Sequence, residues 1–167
     1  EDAEVISFMR GEAERRQMRL SEYKYARRTP GYAITGQVSY CRSGSPLIMQ
    51  MKLYGIWGKT AETKFVPHVY KTASRKDRLE LLAGLIDTDG SLVLPSGYDF
   101  VSKSEMLADG VAFVARSVGL AAYVVPCEKC SQNGTWGIYH RVSISGAVNM
   151  IPCRIARKIA PARQQKK

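Results

Sequence analysis

Acidic side chains are scarce in this chain: 15 Asp and Glu stand against 25 Lys and Arg in 167 residues, which gives a formal charge of +10 and a pI near 9.6. A basic surplus of this size is the balance of a polyanion binder. Cysteine is sparse too. Cys41, Cys127, Cys130 and Cys153 are too few and too scattered for a disulfide scaffold, so a reducing compartment is expected. Cys127-Glu128-Lys129-Cys130 has the spacing of half a zinc site, but Cys41 and Cys153 supply no second pair, and the segment reads as a hairpin tip. Histidine occurs twice, and His68 and His140 have no metal-ligand spacing, so both read as structural or nucleic-acid-facing. No Gly-rich phosphate loop and no GxSxG element is present. No run of about 18 apolar residues occurs, and the opening EDAEVISFMR is acidic and amphipathic. A soluble chain without membrane span or signal peptide is expected. Disorder is excluded as a reading of the whole, because 45% hydrophobic and 24% charged residues can fill an ordinary core.

Periodicity divides the chain into helices and strands. From Asp2 to Met18, Val5, Phe8, Met9 and Ala13 fall at helical spacing with Arg10, Arg15 and Arg16 off the stripe. Gly31 to Tyr40 alternates as a strand, Pro46 to Trp57 is apolar and Met-rich as a helix, and Pro67 closes this stretch. A second helix runs from Arg75 to Thr88 and ends at Asp89-Gly90. SLVL and YDFVS follow as a hairpin turned at Pro95-Ser96-Gly97. Ser104 to Val118 reads as another amphipathic helix. A strand (AAYVV), a polar loop (CEKCSQNG), a strand (GIYHRVSIS) and a short final helix lead to a basic tail. The two parts also align as faint repeats: DAEVISFMRGEAERRQMRL with SEMLADGVAFVARSVGLAA, YAITG with RVSISG, and KFVP with RKIAP.

The strongest local signal is Leu82-Ala83-Gly84-Leu85-Ile86-Asp87-Thr88-Asp89-Gly90. Ala83 and Gly84 are small enough for two helix backbones to touch, and Leu82 and Leu85 would pack the seam. Two carboxylates at a helix C-terminus face the negative end of the macrodipole and call for compensation. Asp87 and Asp89 either hold a divalent cation or build a helix-ending turn with Gly90.

These nine residues resemble the signature of the LAGLIDADG homing endonucleases, with Thr88 the one departure from consensus. NGTWGIYHRVSISG, KFVPHVY and RKIAPARQQK further resemble the endonuclease domains embedded in inteins, such as those of vacuolar ATPase and fungal spliceosomal-protein inteins. The resemblance implies an α+β fold of αββαββα repeats with DNA-facing antiparallel sheets. It divides the chain into a partial first repeat (1–70), a second repeat with the motif (71–160) and a basic tail (161–167). It implies Mg²⁺ held by Asp89 and the Thr88 backbone carbonyl, with Asp89, Lys64 and Lys158 as catalytic residues. The motif helix interface would be Leu82, Ala83, Gly84 and Leu85. A first motif helix and hairpin are expected upstream of Glu1, or from another copy of the chain, because a lone motif helix would expose an apolar seam. Neither splicing nucleophile nor closing His-Asn pair is found, so splicing is not expected.

The partner implied is double-stranded DNA, met on the strands. Ile138, His140, Val142 and Ile144 alternate with Tyr139, Arg141, Ser143 and Ser145, which makes Arg141 the best single candidate for a base or phosphate contact. Tyr139, Ser143 and Arg157 join it, and Lys103 shares a face with Asp99 and Val101. The tail RQQKK reads as phosphate contact or disorder. The expected function is site-specific, metal-dependent cleavage of both DNA strands at a long asymmetric site, inside the cell and in the nucleus if the source is eukaryotic. The alternative is a DNA- or RNA-binding module of the same fold, a decayed endonuclease or maturase-like protein, that does not cut.

Overall fold

The computed structural model describes residues 2–26, 28–36, 45–93, 97–130, 134 and 136–162. The chain forms two compact units, Glu1–Trp57 and Gly58–Lys167. Residues 58–70, which the sequence groups with the first repeat, therefore pack with the second unit.

In the first unit, helix α1 (Ala3–Arg15) leads into strand β1 (Met18–Tyr25), which pairs antiparallel with β2 (Arg28–Gly36), and α2 spans Pro46–Leu53. Gln17 makes the tight turn from helix to strand at φ 54°. Among the described residues of this unit, Ala13 and Met18 are the buried apolar ones, whereas Phe8, expected on the buried stripe of α1, is 41% exposed. Strand β1 has no counterpart among the sequence expectations, because MRLSEYKY buries little beyond its first residue and so shows no apolar alternation. Its partner begins at Arg28 rather than Gly31, and residues 37–44 lie outside the described residues. Helix α2 stops at Leu53, short of Trp57, where Gly55 turns the chain at φ 69°.

The second unit contains a short α3 (His68–Lys71), α4 (Arg75–Asp89), β3 (Gly90–Val93), β4 (Gly97–Ser102), α5 (Glu105–Ser117), β5 (Ala121–Cys130) and β6 (Trp136–Ser145). Two 3-10 turns follow, Val148–Met150 and Ala156–Lys158, in place of the expected final helix. The strands form one antiparallel sheet in the order β3-β4-β6-β5. The fold class is thus α+β with antiparallel sheets, as expected.

Alternation decides which face of this sheet is buried. Tyr98 and Phe100 of β4, Val142 and Ile144 of β6 and Ala122 of β5 point to one side and are at most 2% exposed. Leu82, Ala83 and Ile86 of α4 and Ala108, Val111, Ala112, Val114 and Ala115 of α5 complete that core. The helices are started by serine caps: the Ser74 hydroxyl accepts from Asp77 N, and the Ser104 hydroxyl accepts from Leu107 N while donating to the Lys64 carbonyl at 2.6 Å. Each cap of this kind contributes about 1 kcal/mol. Two arginines of α4 finish α5, with Arg75 donating to the Val118 carbonyl and Arg78 to that of Ser117, which places positive charge at a helix C-terminus.

Segment Cys127–Cys130 is not the polar loop it resembles. It continues β5 and pairs with β6 up to Cys130↔Trp136. Residues three apart in a strand face opposite sides, so Cys127 and Cys130 do not converge, and both are free thiols. Local structure is alike in the two aligned parts: α1 and α5 are both 13-residue helices followed by an antiparallel hairpin, and YAITG and RVSIS end the second strand of each.

Gly90 joins α4 to β3 in extended backbone, and a Cβ there would lie 2.8 Å from both Cα and Cδ1 of Ile86. Since a backbone atom cannot swing aside, Gly90→Ala is expected to cost about 1–3 kcal/mol, read as a lower urea midpoint with an unchanged slope.

Candidate active site

Helix α4 rotates by about 100° per residue, so Asp87 and Asp89, two positions apart, point to different sides. Asp87 turns inward and is 5% exposed. Its carboxylate accepts from Arg154 N at 2.9 Å and Ile155 N at 3.3 Å. Asp89 turns outward, is exposed, and has no hydrogen-bond or ion-pair partner among the described residues. The two acidic residues of the motif are therefore different in kind: Asp87 is tied into the fold and Asp89 points out of it.

Compensation for the helix terminus comes from Lys158. Its ammonium donates to the carbonyls of Ile86 at 2.8 Å and Asp87 at 2.7 Å, and the residue is 4% exposed. A cation on the last turn opposes the negative end of the macrodipole and satisfies carbonyls that the helix leaves open. The Lys158 carbonyl in turn accepts from the Tyr98 hydroxyl, which also accepts from Ala160 N at 3.2 Å. Burial first, then the hydrogen bond with Cys153, pushes the Tyr98 hydroxyl well above the ordinary tyrosine range. Burial likewise pushes up the Cys153 thiol. Arg154 reaches back to Glu80 at 2.6 Å. Lys64 presents a different picture: its carbonyl is bonded by Ser104 while the residue as a whole is exposed.

The motif helix interface needs correction. Leu82 and Ala83 are fully buried in the core of their own unit, because the side of α4 they occupy packs on the sheet and α5. The open stripe is Gly84 and Thr88, flanked by half-buried Leu81 and Leu85. A Cβ at Gly84 meets nothing within 4 Å. Thr88 keeps its hydroxyl on the helix, donating to the Gly84 carbonyl at 2.9 Å, so this stripe is smooth and low.

The other face of the sheet carries the remaining candidates. Asp99, Arg141 and Ser143 lie on it together, with Tyr139, Tyr123, Val101 and Val125 beside them in register. Arg141 is exposed, and Ser143 donates to Asp99 Oδ1 at 2.8 Å. Lys129 sits over the Tyr139 ring at 6.0 Å. Lys103, just past β4, is paired with Glu62 at 2.6 Å; this hydrogen bond lowers the Glu62 carboxyl and raises the Lys103 amine. Arg157 is exposed on the second 3-10 turn, and the tail RQQKK lies outside the described residues. Ile138, expected on the helix side, is 65% exposed, because the β5–β6 hairpin runs beyond the helices.

Tyr98 and Arg154 are structural residues that sequence reading passed over, while Asp87 and Asp99 were placed by it without the bonds they make. Tyr98 shares the inward alternation of β4 with Phe100, which marks it as core, but its bond to a carbonyl 60 positions later has no sequence signal. These placements separate two substitutions. Lys158→Met, which leaves two carbonyls without their donor, is expected to cost about 2–4 kcal/mol, while Asp89→Asn should stay within about 0.5 kcal/mol of the parent, both by urea denaturation.

The model of the LAGLIDADG-like domain matches residues 76–152, which run from the first turn of α4 through the four-stranded sheet to the first 3-10 turn. No curated protein matches the chain. A motif helix ending on one locked and one open carboxylate, above a sheet with one free face, thus lies within the segment that matches the LAGLIDADG-like domain, a match that supports the homing endonuclease family.

Proposed function

We propose that the second unit is one half of a site-specific, metal-dependent DNA endonuclease of the intein-encoded homing type, completed by a second motif helix. The observation that carries this reading is Asp89: an exposed carboxylate, without a partner among the described residues, at the end of a helix whose last turn is fixed by Lys158 and Asp87. Its donor chemistry suits Mg²⁺, which takes hard oxygen ligands in octahedral geometry. Asp89 and the Thr88 carbonyl would supply two of these, and among the described residues no cluster of three or more metal-ligating side chains exists. One helix therefore furnishes half a site. The facing half would come from a second helix laid along Gly84 and Thr88, either from further sequence or from another copy, where small residues allow close backbone approach.

The chain's own groups then have distinct tasks. The outer face of the sheet, with Arg141, Ser143 and Tyr139, binds duplex DNA in the major groove, which is wide enough for a two-stranded ribbon. Lys103, just past β4, is held by Glu62 until phosphate competes for it, and Arg157 on the second 3-10 turn is a further candidate for phosphate contact. Asp89 orients the oxygen that attacks phosphorus as the bond to the leaving oxygen breaks; bound Mg²⁺ would supply charge stabilisation for both oxygens. Lys158 keeps the Asp89 turn in place. Lys64, exposed, is available to the phosphate, whereas Lys158 is not.

Two outcomes test this reading. With duplex sites selected from a randomised library, Asp89→Asn should abolish Mg²⁺-dependent cleavage and leave affinity within a few-fold; binding without cleavage by the parent chain would favour the non-cutting module instead. Gly84→Leu, which has room in the isolated unit, should prevent pairing with a second motif helix. Where the second helix comes from another copy, light scattering would show a smaller species than the parent; in either case cleavage should be lost, and retained cleavage would count against this interface.

A further inference from the structure

An acidic residue stands where a DNA-facing sheet should have none. Asp99 lies on the outer face of β4, directly opposite Ser143 of β6, with its side chain 26% exposed. Its two oxygens serve two neighbours on the same strand. Oδ1 accepts from the Ser143 hydroxyl at 2.8 Å, and Oδ2 lies 3.8 Å from Nε of Arg141. The second distance is an ion pair, longer than a hydrogen bond. No other described group bonds the Arg141 guanidinium, whose side chain is 51% exposed. In register, Arg141 lies between Val101 of β4 and Val125 of β5. The guanidinium thus rises from an apolar surround with its Nε side next to a carboxylate that Ser143 itself holds.

That arrangement changes what Arg141 can do. An arginine paired with a carboxylate adds little net charge, so it contributes little to phosphate binding and counterion release. Its two terminal nitrogens still present parallel N–H donors, the geometry that matches O6 and N7 of guanine in the major groove. A carboxylate on the Nε side also limits the rotamers of the arginine and repels a phosphate that approaches it. We propose that Asp99 is a specificity-determining residue, which positions Arg141 to read one guanine rather than to grip the backbone. The proposal rests on the reading of the outer sheet face as the DNA-binding surface.

Site selection from a randomised duplex library, with the full chain, tests it alongside salt titration of affinity. The parent should select one G·C pair that Arg141→Ala no longer selects. Asp99→Asn, nearly identical in shape, should lose roughly tenfold in preference at that same pair. Its affinity for unselected duplex should stay level or rise, and its salt slope should steepen by about 0.9, the value for one added phosphate. Asp99→Asn with Arg141→Ala should discriminate no worse than Arg141→Ala alone. Thermal midpoints near the parent's show that both variants are folded. An Asp99→Asn variant that keeps the parent's preference overturns the proposal, as does an Arg141→Ala variant that weakens every duplex alike and flattens the salt slope. A parent chain that binds duplex but selects no sequence overturns the proposal while leaving the binding surface standing. A parent that binds no duplex overturns both.

Discussion

The structure of the second unit depends on how the end of one helix is held. Helix α4 finishes with carbonyls that need donors and with two carboxylates in its last three positions, an arrangement that its own dipole opposes. Lys158 answers the carbonyls of Ile86 and Asp87, and the backbone of Arg154 and Ile155 answers the Asp87 carboxylate. These bonds cross some 70 residues of sequence, so the segment after the sheet is tied to the helix before it. Tyr98, reaching the Lys158 carbonyl from β4, adds the sheet to the same knot. What is left over is Asp89, fixed by its backbone and with no partner for its carboxylate among the described residues.

The rest of the unit serves to present two surfaces. Packing of α4 and α5 on one side of the sheet consumes the alternate residues of each strand, and the opposite alternates are released to the outside. The same logic divides the motif helix. Its leucine and alanine at 82 and 83 are spent on the core, which leaves Gly84 and Thr88 as a low stripe suited to another backbone. One helix thus separates an inward set from an outward set within nine residues.

Much of this was legible in the sequence where periodicity is strong. Helices α4 and α5, the strands Tyr98–Ser102 and Gly137–Ser145, and the exposure of Arg141 follow from spacing alone. Strand β1 was hidden because its polar residues fall on both faces, and the extension of β5 through Cys130 was hidden because Glu128 and Lys129 have the composition of a loop. The role of Lys158 as a buried cap was out of reach for another reason: a basic residue near Pro161 reads as exposed unless the helix terminus it meets is known. Asp99 was visible on its face, but the significance of a carboxylate there depends on Ser143 and Arg141 lying beside it across a strand pair.

The β5–β6 hairpin outruns the helices that cover the rest of the sheet. Near Val142 and Ile144 its register is fixed by burial, since a one-residue slip would bring polar side chains into the core. Beyond His140 both faces are wet, with Trp136 and Ile138 exposed on one side and Lys129 on the other. There the register depends on the backbone ladder and on the contact of Lys129 with the Tyr139 ring. Such an end can be lengthened or shortened by pairs of residues without disturbing what lies below it, so the length of this finger is open to evolutionary change independently of the turn that carries Asp89.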